Sequence, residues 1–431
     1  MRMRAAERTS KAIVWVLVAA TVTIGVPTFG IGGLAPASAA SAVTPPAGSY
    51  FHSLAPSRVL DSRGSNGGWN AKLSAAAPRS LTVTGGTANV PVDATAVVVN
   101  VTVTEGSANS FLSVFPAGGT VPNVSNINFA AGETIPNLVT VKVGTAGQIS
   151  FANAVGSVHV IADLVGYYGP TAADRYNPVL PFRLYYGLGD YAHGGIKAGA
   201  PRSFQVSGLN GIASSATAVI MNVTVTNPTA NSFLTVFPAG GPAPNASNVN
   251  FGTGQTIANL VTVKLGTGGQ ITIANAVGSA VVVLDVVGYY DAGAGDLFHP
   301  LPPVRILDSR GLVGGFGGKV PAGLEPRTLQ VAGVGGVPAD ATAVVGNVTV
   351  TEADTGSFLS VYPSGLTFPP CTMPYQQPCP TPYTTSILNF GTGQTIANLD
   401  AVKLGGGKID FANAVGTVHA IFDVVGYFAT T

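Results

Sequence analysis

The amino-acid sequence predicts an all-β protein: three tandem β-sandwich domains, jelly-roll or Greek-key-like in connectivity, after an N-terminal signal peptide. Three observations predict this class. One block of sequence occurs three times, apolar and polar residues alternate within the block, and 56 glycines and 31 prolines provide turns. No amphipathic helix of useful length interrupts the blocks, and a small barrel is the alternative architecture for each.

The N-terminal segment has the pattern of a secretory signal peptide. Basic residues precede an apolar run over 12–26, and residues 37–39 (Ala-Ser-Ala) give the small-residue spacing that signal peptidase accepts. An uncleaved membrane anchor is the alternative, because apolar residues continue to about Leu34. Pro27 and the glycines around it argue against one continuous helix. We therefore expect residues 1–40 to be removed, leaving no membrane span.

The repeated block has a period of about 125 residues, which is the size of a domain and too long for a solenoid repeat. Its most regular segment is an Asn-Val-Thr strand, centred on Asn100, Asn222 and Asn347. The predicted domains are residues 41–170, 171–292 and 293–431. Because each could bury its own core, we expect three independently stable units that pack end to end.

The Asn-Val-Thr strand predicts one core face and one polar face. In the first block the core face carries Val97, Val99, Val101 and Val103, and the polar face carries Asn100, Thr102 and Thr104. The Asn-x-Thr triplet formally matches a glycosylation acceptor. Its regular position within the strand instead predicts cross-strand hydrogen bonding.

Composition and motifs argue against several functions. Net charge is +1 and charged residues make up 9% of the chain, so it lacks the basic field that holds nucleic acid. The sequence contains no Gly-x-Ser-x-Gly, His-Glu-x-x-His or P-loop motif, and none of the five histidines recurs in all three blocks. We therefore expect a protein that is not an enzyme, with no cofactor, no metal and no nucleic-acid partner.

Two motifs carry a family resemblance. Pro-x-Arg-x-Leu-Asp-Ser-Arg opens the first and third blocks at 56–63 and 303–310, and Asp-x-Val-Gly-Tyr-aromatic closes all three at 163–168, 285–290 and 423–428. On these motifs the chain resembles a secreted tandem β-repeat family of high-GC Gram-positive, actinobacterial bacteria. Members stand alone or form tails on secreted hydrolases, which implies an accessory role. The second block departs from the opening motif, because Leu-Tyr-Tyr-Gly follows Arg183.

The charged residues of these motifs are predicted to be structural. Salt bridges that fasten the opening strand are expected at Arg58, Asp61, Arg63, Arg305, Asp308 and Arg310, with an anion-binding pair as the alternative. The closing strands carry Asp163, Asp285 and Asp423, each predicted to be buried and to accept backbone N–H bonds. An acid–base pair of these carboxylates with His159 or His419 is disfavoured, since the second block has Val281 at that position.

Aromatic loops are the predicted ligand surface. Flat aromatic rings commonly recognise sugars, and the candidates are Trp69, Lys72, Phe316 and Lys319, with Tyr185, Tyr186 and Tyr191 in the second block. The alternative is that these rings close the ends of the sandwiches. An insertion in the third block carries Cys371 and Cys379, which we expect to form a disulfide in an exported chain. That loop is predicted either as a contact site or as protection against proteases.

The sequence thus favours a binding or adhesion protein that is secreted or cell-wall-associated, with polysaccharide or a cell-surface protein as its partner. A purely structural spacer or surface-coat rod, able to self-associate, is the first alternative. An unrecognised secreted hydrolase is the second.

Overall fold

The computed structural model describes residues 47–431 apart from residue 76 and the segments 86–88, 190–194, 324–325 and 367–384. The predicted signal peptide, Tyr191 and the predicted disulfide of Cys371 with Cys379 all lie outside the described residues. More than half of the described chain is strand, and its only helical segments are short 3-10 turns at Thr145–Gly147, Gly187–Gly189 and Thr267–Gly269. The all-β prediction is confirmed.

Nine strands occur in the described part of each repeat. The first repeat contains β1 (Tyr50–Asp61), β2 (Leu73–Ser74), β3 (Arg79–Thr82), β4 (Ala96–Thr104), β5 (Ser110–Pro116), β6 (Ile127–Phe129), β7 (Ile135–Lys142), β8 (Gln148–Asn153) and β9 (Ser157–Gly169). The second contains β10 (Arg175–Tyr186), β11 (Ile196–Lys197), β12 (Arg202–Gln205), β13 (Ala218–Thr226), β14 (Ser232–Pro238), β15 (Val249–Phe251), β16 (Ile257–Lys264), β17 (Gln270–Asn275) and β18 (Ser279–Asp291). The third contains β19 (Leu297–Asp308), β20 (Val320–Pro321), β21 (Arg327–Gln330), β22 (Ala343–Thr351), β23 (Ser357–Pro363), β24 (Leu388–Phe390), β25 (Ile396–Lys403), β26 (Lys408–Asn413) and β27 (Thr417–Ala429).

Each repeat forms two antiparallel sheets. In the first repeat the inner sheet has the order β1-β9-β4-β7, with β2 also paired to β9, and the outer sheet has the order β3-β8-β5-β6. The second and third repeats reproduce both orders strand for strand. A shared core lies between the two sheets, and it includes Val97 and Val99 of β4 together with Leu112 and Phe151 of the outer sheet.

The inner sheet is buried on both faces near the centre of the molecule. Val97, Val99 and Val101 point into the core of their own repeat, as the alternation predicts. Ala96 and Val98 point the other way, into a second core built from all three repeats. Coverage on both faces explains why β4 begins with an unbroken apolar run over residues 96–99.

The six sheets form a propeller-like ring about an approximate threefold axis, and residues from Pro46 to Thr431 make one compact unit. The prediction of three separate sandwich domains packed end to end is therefore wrong. Six aromatic rings fill the axis: Phe51, Tyr168, Tyr176, Tyr290, Phe298 and Phe428. Each stacked pair joins different repeats, Phe51 with Tyr290 (4.0 Å), Tyr176 with Phe428 (4.1 Å) and Phe298 with Tyr168 (4.2 Å between centroids).

Buried asparagines close the ring with hydrogen bonds. Asn259 of the second repeat donates to Asn100 Oδ1 (3.0 Å), and its own Oδ1 accepts from the Leu138 N–H (3.1 Å). Asn100 in turn donates to the Ser247 carbonyl at 2.6 Å. The same contacts join the second repeat to the third and the third to the first. The predicted cross-strand role of the Asn-x-Thr triplet is wrong, because these asparagines bond to a neighbouring repeat.

Candidate functional site

The polar face of β4 forms the floor of a cleft between the first and second repeats. This first cleft has a volume of about 370 Å³. The first repeat lines it with Arg58, Arg63, Thr102, Thr104, Thr134 and Ile161, and the second repeat lines it with Phe233, Pro244, Asn245, Ala246, Ser247 and Asn250. The polar face that the sequence predicts for β4 therefore forms one side of a cleft large enough for a small ligand.

The strand register gives the order of the side chains along the floor of the cleft, from the threefold axis out to the solvent-facing mouth. Pairing of β4 with β9 sets Asn100 opposite Asp163, Thr102 opposite Ile161, and Thr104 opposite His159. Because side chains alternate along a strand, these three rows share one face of the sheet. Asn100 is held against the second repeat, whereas Thr104 lies toward the mouth and bonds to Thr134 at 2.6 Å.

A buried ion pair supports the inner wall of the cleft. Arg58 holds Asp163 with two bonds, Nε to Oδ1 at 2.9 Å and Nη2 to Oδ2 at 3.1 Å. The same pair recurs as Arg183 with Asp285 and Arg305 with Asp423, each aspartate being 1% exposed. The opening arginine and closing aspartate motifs are therefore one unit in space. The main partner of the aspartate is this guanidinium, not the backbone N–H groups that the sequence predicted.

Burial affects the pKa of these carboxylates. Desolvation raises the pKa of Asp163 and Asp423 above the usual range despite the arginine beside each. The same cause raises the pKa of Asp285 to about 6. The ionised form of each aspartate is therefore costly in free energy unless the arginine guanidinium is beside it.

A second ion pair lies at the mouth. Arg63 holds Asp61 with two bonds (2.9 and 2.7 Å), and this guanidinium keeps the pKa of the Asp61 carboxyl below its usual range. Arg58 and Arg63 together face Asp61 and Asp163, so the charges of the wall balance. A balanced wall suits a neutral ligand better than an anion.

Ser62 and His159 form a further contact beside the mouth. Ser62 Oγ lies 2.9 Å from His159 Nδ1 and accepts the Val160 N–H at 2.9 Å. Ser62 is completely buried, so its hydroxyl ties the opening strand to β9 and does not face the cleft. A hydroxyl held in this way is a poor candidate for a nucleophile.

Two polar atoms in the first cleft have no hydrogen-bond partner among the described residues: Thr102 Oγ1 and Asn250 Oδ1. Thr102 is 2% exposed. The counterparts of Asn250 do have partners, since Asn128 and Asn389 each accept from a serine hydroxyl at 3.2 Å. Buried polar atoms are costly to leave unbonded, so a polar group that reached either atom would gain a hydrogen bond, but both atoms are closed to solvent in this structure.

Phe233 provides an apolar rim to the cleft. It is 38% exposed, and its backbone carbonyl accepts the Ala276 N–H at 3.2 Å, which brings the exposed Val277 close to it. Phe233 is not among the residues predicted from the sequence, because it lies in a strand rather than a loop. The sequence feature that could have identified Phe233 is its position in the alternating Ser-Phe-Leu segment, where an aromatic residue falls on the solvent side.

The aromatic residues predicted from the loops lie mostly inside the protein. Trp69 is 3% exposed, donates its Nε1–H to the Ser80 carbonyl (3.3 Å) and meets the edge of Phe151. Phe316 is 9% exposed and faces Phe411. Both rings close the end of a repeat, the alternative that the sequence left open. A role in ligand contact stays a prediction that their burial disfavours.

The other predicted ligand residues are placed as follows. Lys72 and Lys319 donate to the carbonyls of Glu105 (2.7 Å) and Glu352 (2.6 Å). Tyr185 accepts from Arg202 at 2.7 Å, and Tyr186 lies beside the Arg183 guanidinium. None of these four side chains lines the first cleft.

The described chain lacks both a metal-binding cluster and a membrane-spanning helix. It holds no group of three or more His, Cys, Asp or Glu side chains placed to bind a metal ion. It also holds no helix with the length and apolar character needed to cross a membrane.

Comparison with known proteins adds little. No protein-family model matches the chain, and no curated protein matches it. Two solved structures align with it, "The Triple Jelly Roll Fold and Turret Assembly in an Archaeal Virus" and "Life in the extremes: atomic structure of Sulfolobus Turreted Icosahedral Virus". Both are 10% identical, cover 83% and 84% of this chain and 84% and 86% of theirs, and have TM-scores of 0.16 and 0.17. Scores this low establish neither a shared fold nor a shared function.

Proposed function

We propose that this chain is an exported, non-catalytic binding protein whose first cleft binds a neutral, hydroxyl-rich ligand of the carbohydrate class. The observation that carries the proposal is the pair of unpartnered polar atoms, Thr102 Oγ1 and Asn250 Oδ1, in one cleft. A sugar hydroxyl both donates and accepts hydrogen bonds, so one ligand can satisfy a threonine hydroxyl and an amide oxygen together.

The rim and the charge balance support the same ligand class. Phe233 offers a partly exposed ring against which the apolar face of a sugar can pack. The paired arginines and aspartates add donors and acceptors without net charge. An anionic ligand would compete with Asp61 and Asp163 for the guanidinium groups.

Export and a surface location are part of the proposal and rest on the N-terminal sequence pattern and the family resemblance. The strand orders 1-9-4-7 and 3-8-5-6 support a jelly-roll description of each repeat, an architecture that lectins and capsid proteins share. Cell-wall or environmental polysaccharide is the proposed source of the ligand.

The test is binding of neutral tetrasaccharides by wild type, Thr102→Val and Phe233→Ala. We would titrate cellotetraose, chitotetraose and mannotetraose by calorimetry. Thr102→Val removes an unpartnered hydroxyl, so it should raise the free energy of unfolding by about 1 kcal/mol while weakening binding at least tenfold. A merely structural threonine would lose stability and keep affinity.

Thr224→Val is the matched control, because Thr224 is the counterpart of Thr102 in the second repeat and its hydroxyl lies 3.5 Å from Asn222 Nδ2. It should leave affinity unchanged. Absence of binding by the wild type to all three sugars would overturn the proposal.

A structural coat protein is the second candidate, and one repeated feature favours it. Val155, Val277 and Val415 occupy the same turn in the three repeats and are each more than half exposed. Three apolar tips related by a threefold axis suit regular self-association. Analytical ultracentrifugation should show assembly that Val277→Ser weakens; a monomer at all concentrations would contradict this candidate.

A further inference from the structure

A second cavity lies where the first repeat meets the third. Its volume is about 650 Å³. The first repeat lines it with Asn109, Ser110 and residues 128–133, and the third repeat lines it with residues 393–395. None of these residues lines the first cleft, so the two cavities are separate places on the molecule.

Backbone N–H groups orient three polar side chains of this second cavity. Glu133 Oε2 accepts the Ala130 N–H at 2.8 Å, and Asn109 Oδ1 accepts the Ala131 N–H at 2.9 Å. Gln394 Oε1 accepts the N–H of the residue three positions before it, also at 2.9 Å. Each bond uses one oxygen of the side chain and leaves its other polar atom available.

The remaining polar atoms are one acceptor and two donors. Glu133 Oε1, Asn109 Nδ2 and Gln394 Nε2 have no hydrogen-bond partner among the described residues. A carboxylate oxygen accepts hydrogen bonds and an amide nitrogen donates them. Because the three side chains are already oriented, a ligand that bonds to them costs little additional side-chain entropy.

The turn that contains Glu133 does not require its negative charge. Gln255 and Gln394 occupy the same position in the other two repeats, and Gln255 accepts the Gly252 N–H at 2.8 Å. A glutamine therefore builds this turn as well as a glutamate does.

The charge of Glu133 is not balanced by a neighbouring cation. No lysine, arginine or histidine lines the second cavity, and within the described part of the chain Glu133 forms no ion pair. A carboxylate beside amide donors, with no protein cation to neutralise it, favours a cationic ligand that also carries acceptor oxygens.

We infer that the second cavity binds a cationic amino sugar, a hexosamine unit whose nitrogen is a free ammonium group. The ammonium donates to Glu133 Oε1, and the sugar oxygens accept from the amides of Asn109 and Gln394. A lysine side chain offers the same ammonium, but its methylene stem has no oxygen for the two amides. The site differs from the first cleft in position and in the charge of its ligand, so the inference goes beyond the proposed function and does not rest on it.

The test is binding of the fully deacetylated glucosamine tetramer, measured by calorimetry on the full chain at a pH that keeps the amines protonated. Glu133→Gln is the test variant, because it keeps an oxygen for the Ala130 N–H, as Gln255 and Gln394 do in their turns. Thermal unfolding would verify that the variant is folded. We expect the wild type to bind the tetramer and the variant to lose affinity by about tenfold or more.

Glu105→Gln is the matched control. It removes the same charge from a side chain that is 60% exposed and lines neither cavity, so it should leave the affinity unchanged. Thr102→Val alters the first cleft and should also leave it unchanged. Chitotetraose lacks the ammonium groups, and any binding of this sugar should not respond to Glu133→Gln.

Several outcomes would overturn the inference. They are no binding of the glucosamine tetramer to the wild type, equal affinity of the wild type and Glu133→Gln, and an equal loss in Glu105→Gln, which would show a general attraction between charges. Tetralysine that binds as tightly as the tetramer would overturn the assignment to a sugar. Failure of neutral sugars to bind the first cleft would overturn the proposed function alone.

Discussion

Single residues explain why the ion pairs persist in all three repeats. Asp163, Asp285 and Asp423 are buried where a lone carboxylate would be costly, and each has an arginine bound through two hydrogen bonds. Such a pair adds little to the stability of the fold compared with an apolar replacement. Removing one partner, however, leaves the other as an unpaired buried charge. The arginine is therefore necessary once the aspartate is present.

Arg183→Ala tests this dependence. The variant leaves Asp285 buried without its guanidinium, and we expect the free energy of unfolding to fall by about 3 kcal/mol in urea denaturation at pH 7.5. Arg63→Ala is the control, because the Arg63 side chain is 45% exposed and its loss should cost under about 1 kcal/mol. Equal losses in the two variants would contradict the argument.

Asp400 is a residue-scale exception in the third repeat. Val139 and Val261 occupy its position in the other repeats, whereas Asp400 Oδ2 has no hydrogen-bond partner among the described residues. Its Oδ1 accepts the Ala401 N–H at 2.9 Å. Burial raises the pKa of Asp400 to about 7.

A raised pKa in the folded state has a definite effect on stability. The folded chain holds the Asp400 proton more tightly than the unfolded chain, so the contribution of Asp400 is complete below pH 4 and is lost as pH rises to 7. Asp400→Asn should flatten this dependence, and its advantage over wild type should grow by about 3 kcal/mol between pH 4 and 7.5. Urea denaturation at several pH values measures it; a constant difference would contradict the assignment.

At the scale of the strand, β4 shows how far the sequence determines the structure. The alternation predicted its core face correctly, since Val97, Val99 and Val101 all lie in the core of the first repeat. The destination of the opposite face was not predictable, because the surface that covers Asn100 and Thr102 comes from the second repeat. A period of two reveals that a face is polar, but not what it meets.

The site was partly predictable for the same reason. The motifs containing Arg58 and Asp163 were recognised, but their pairing spans 105 residues and follows only from the sheet order β1-β9-β4. The role of Trp69 was left open, because a tryptophan among glycines can either close a core or face solvent. Only packing against Phe151 distinguishes the two.

Asn259→Ala tests the contact between neighbouring inner sheets. The change removes bonds to Asn100, the Leu138 N–H and the Asn248 carbonyl, all of which are buried. We expect the free energy of unfolding to fall by about 3 kcal/mol. Asn70→Ala, at an exposed position, is the control and should change it by less than about 0.5 kcal/mol.

At the scale of the whole molecule, the shared central core predicts one cooperative unit. Three independent domains would unfold separately, whereas repeats joined by stacked rings and buried asparagines should unfold together. Differential scanning calorimetry of the mature chain should give one transition with equal calorimetric and van't Hoff enthalpies. Three transitions, or a calorimetric enthalpy near three times the van't Hoff value, would contradict this expectation.

The closed ring has a consequence for connectivity. The chain passes directly from the first repeat to the second and from the second to the third, while the third meets the first only through contacts such as the Ser49 N–H bond to the Phe298 carbonyl at 2.8 Å. Two junctions are therefore covalent and one is a seam. Since the contacts at the seam match those at the junctions, the order of repeats along the polypeptide can be permuted in a circle without altering the assembled surface.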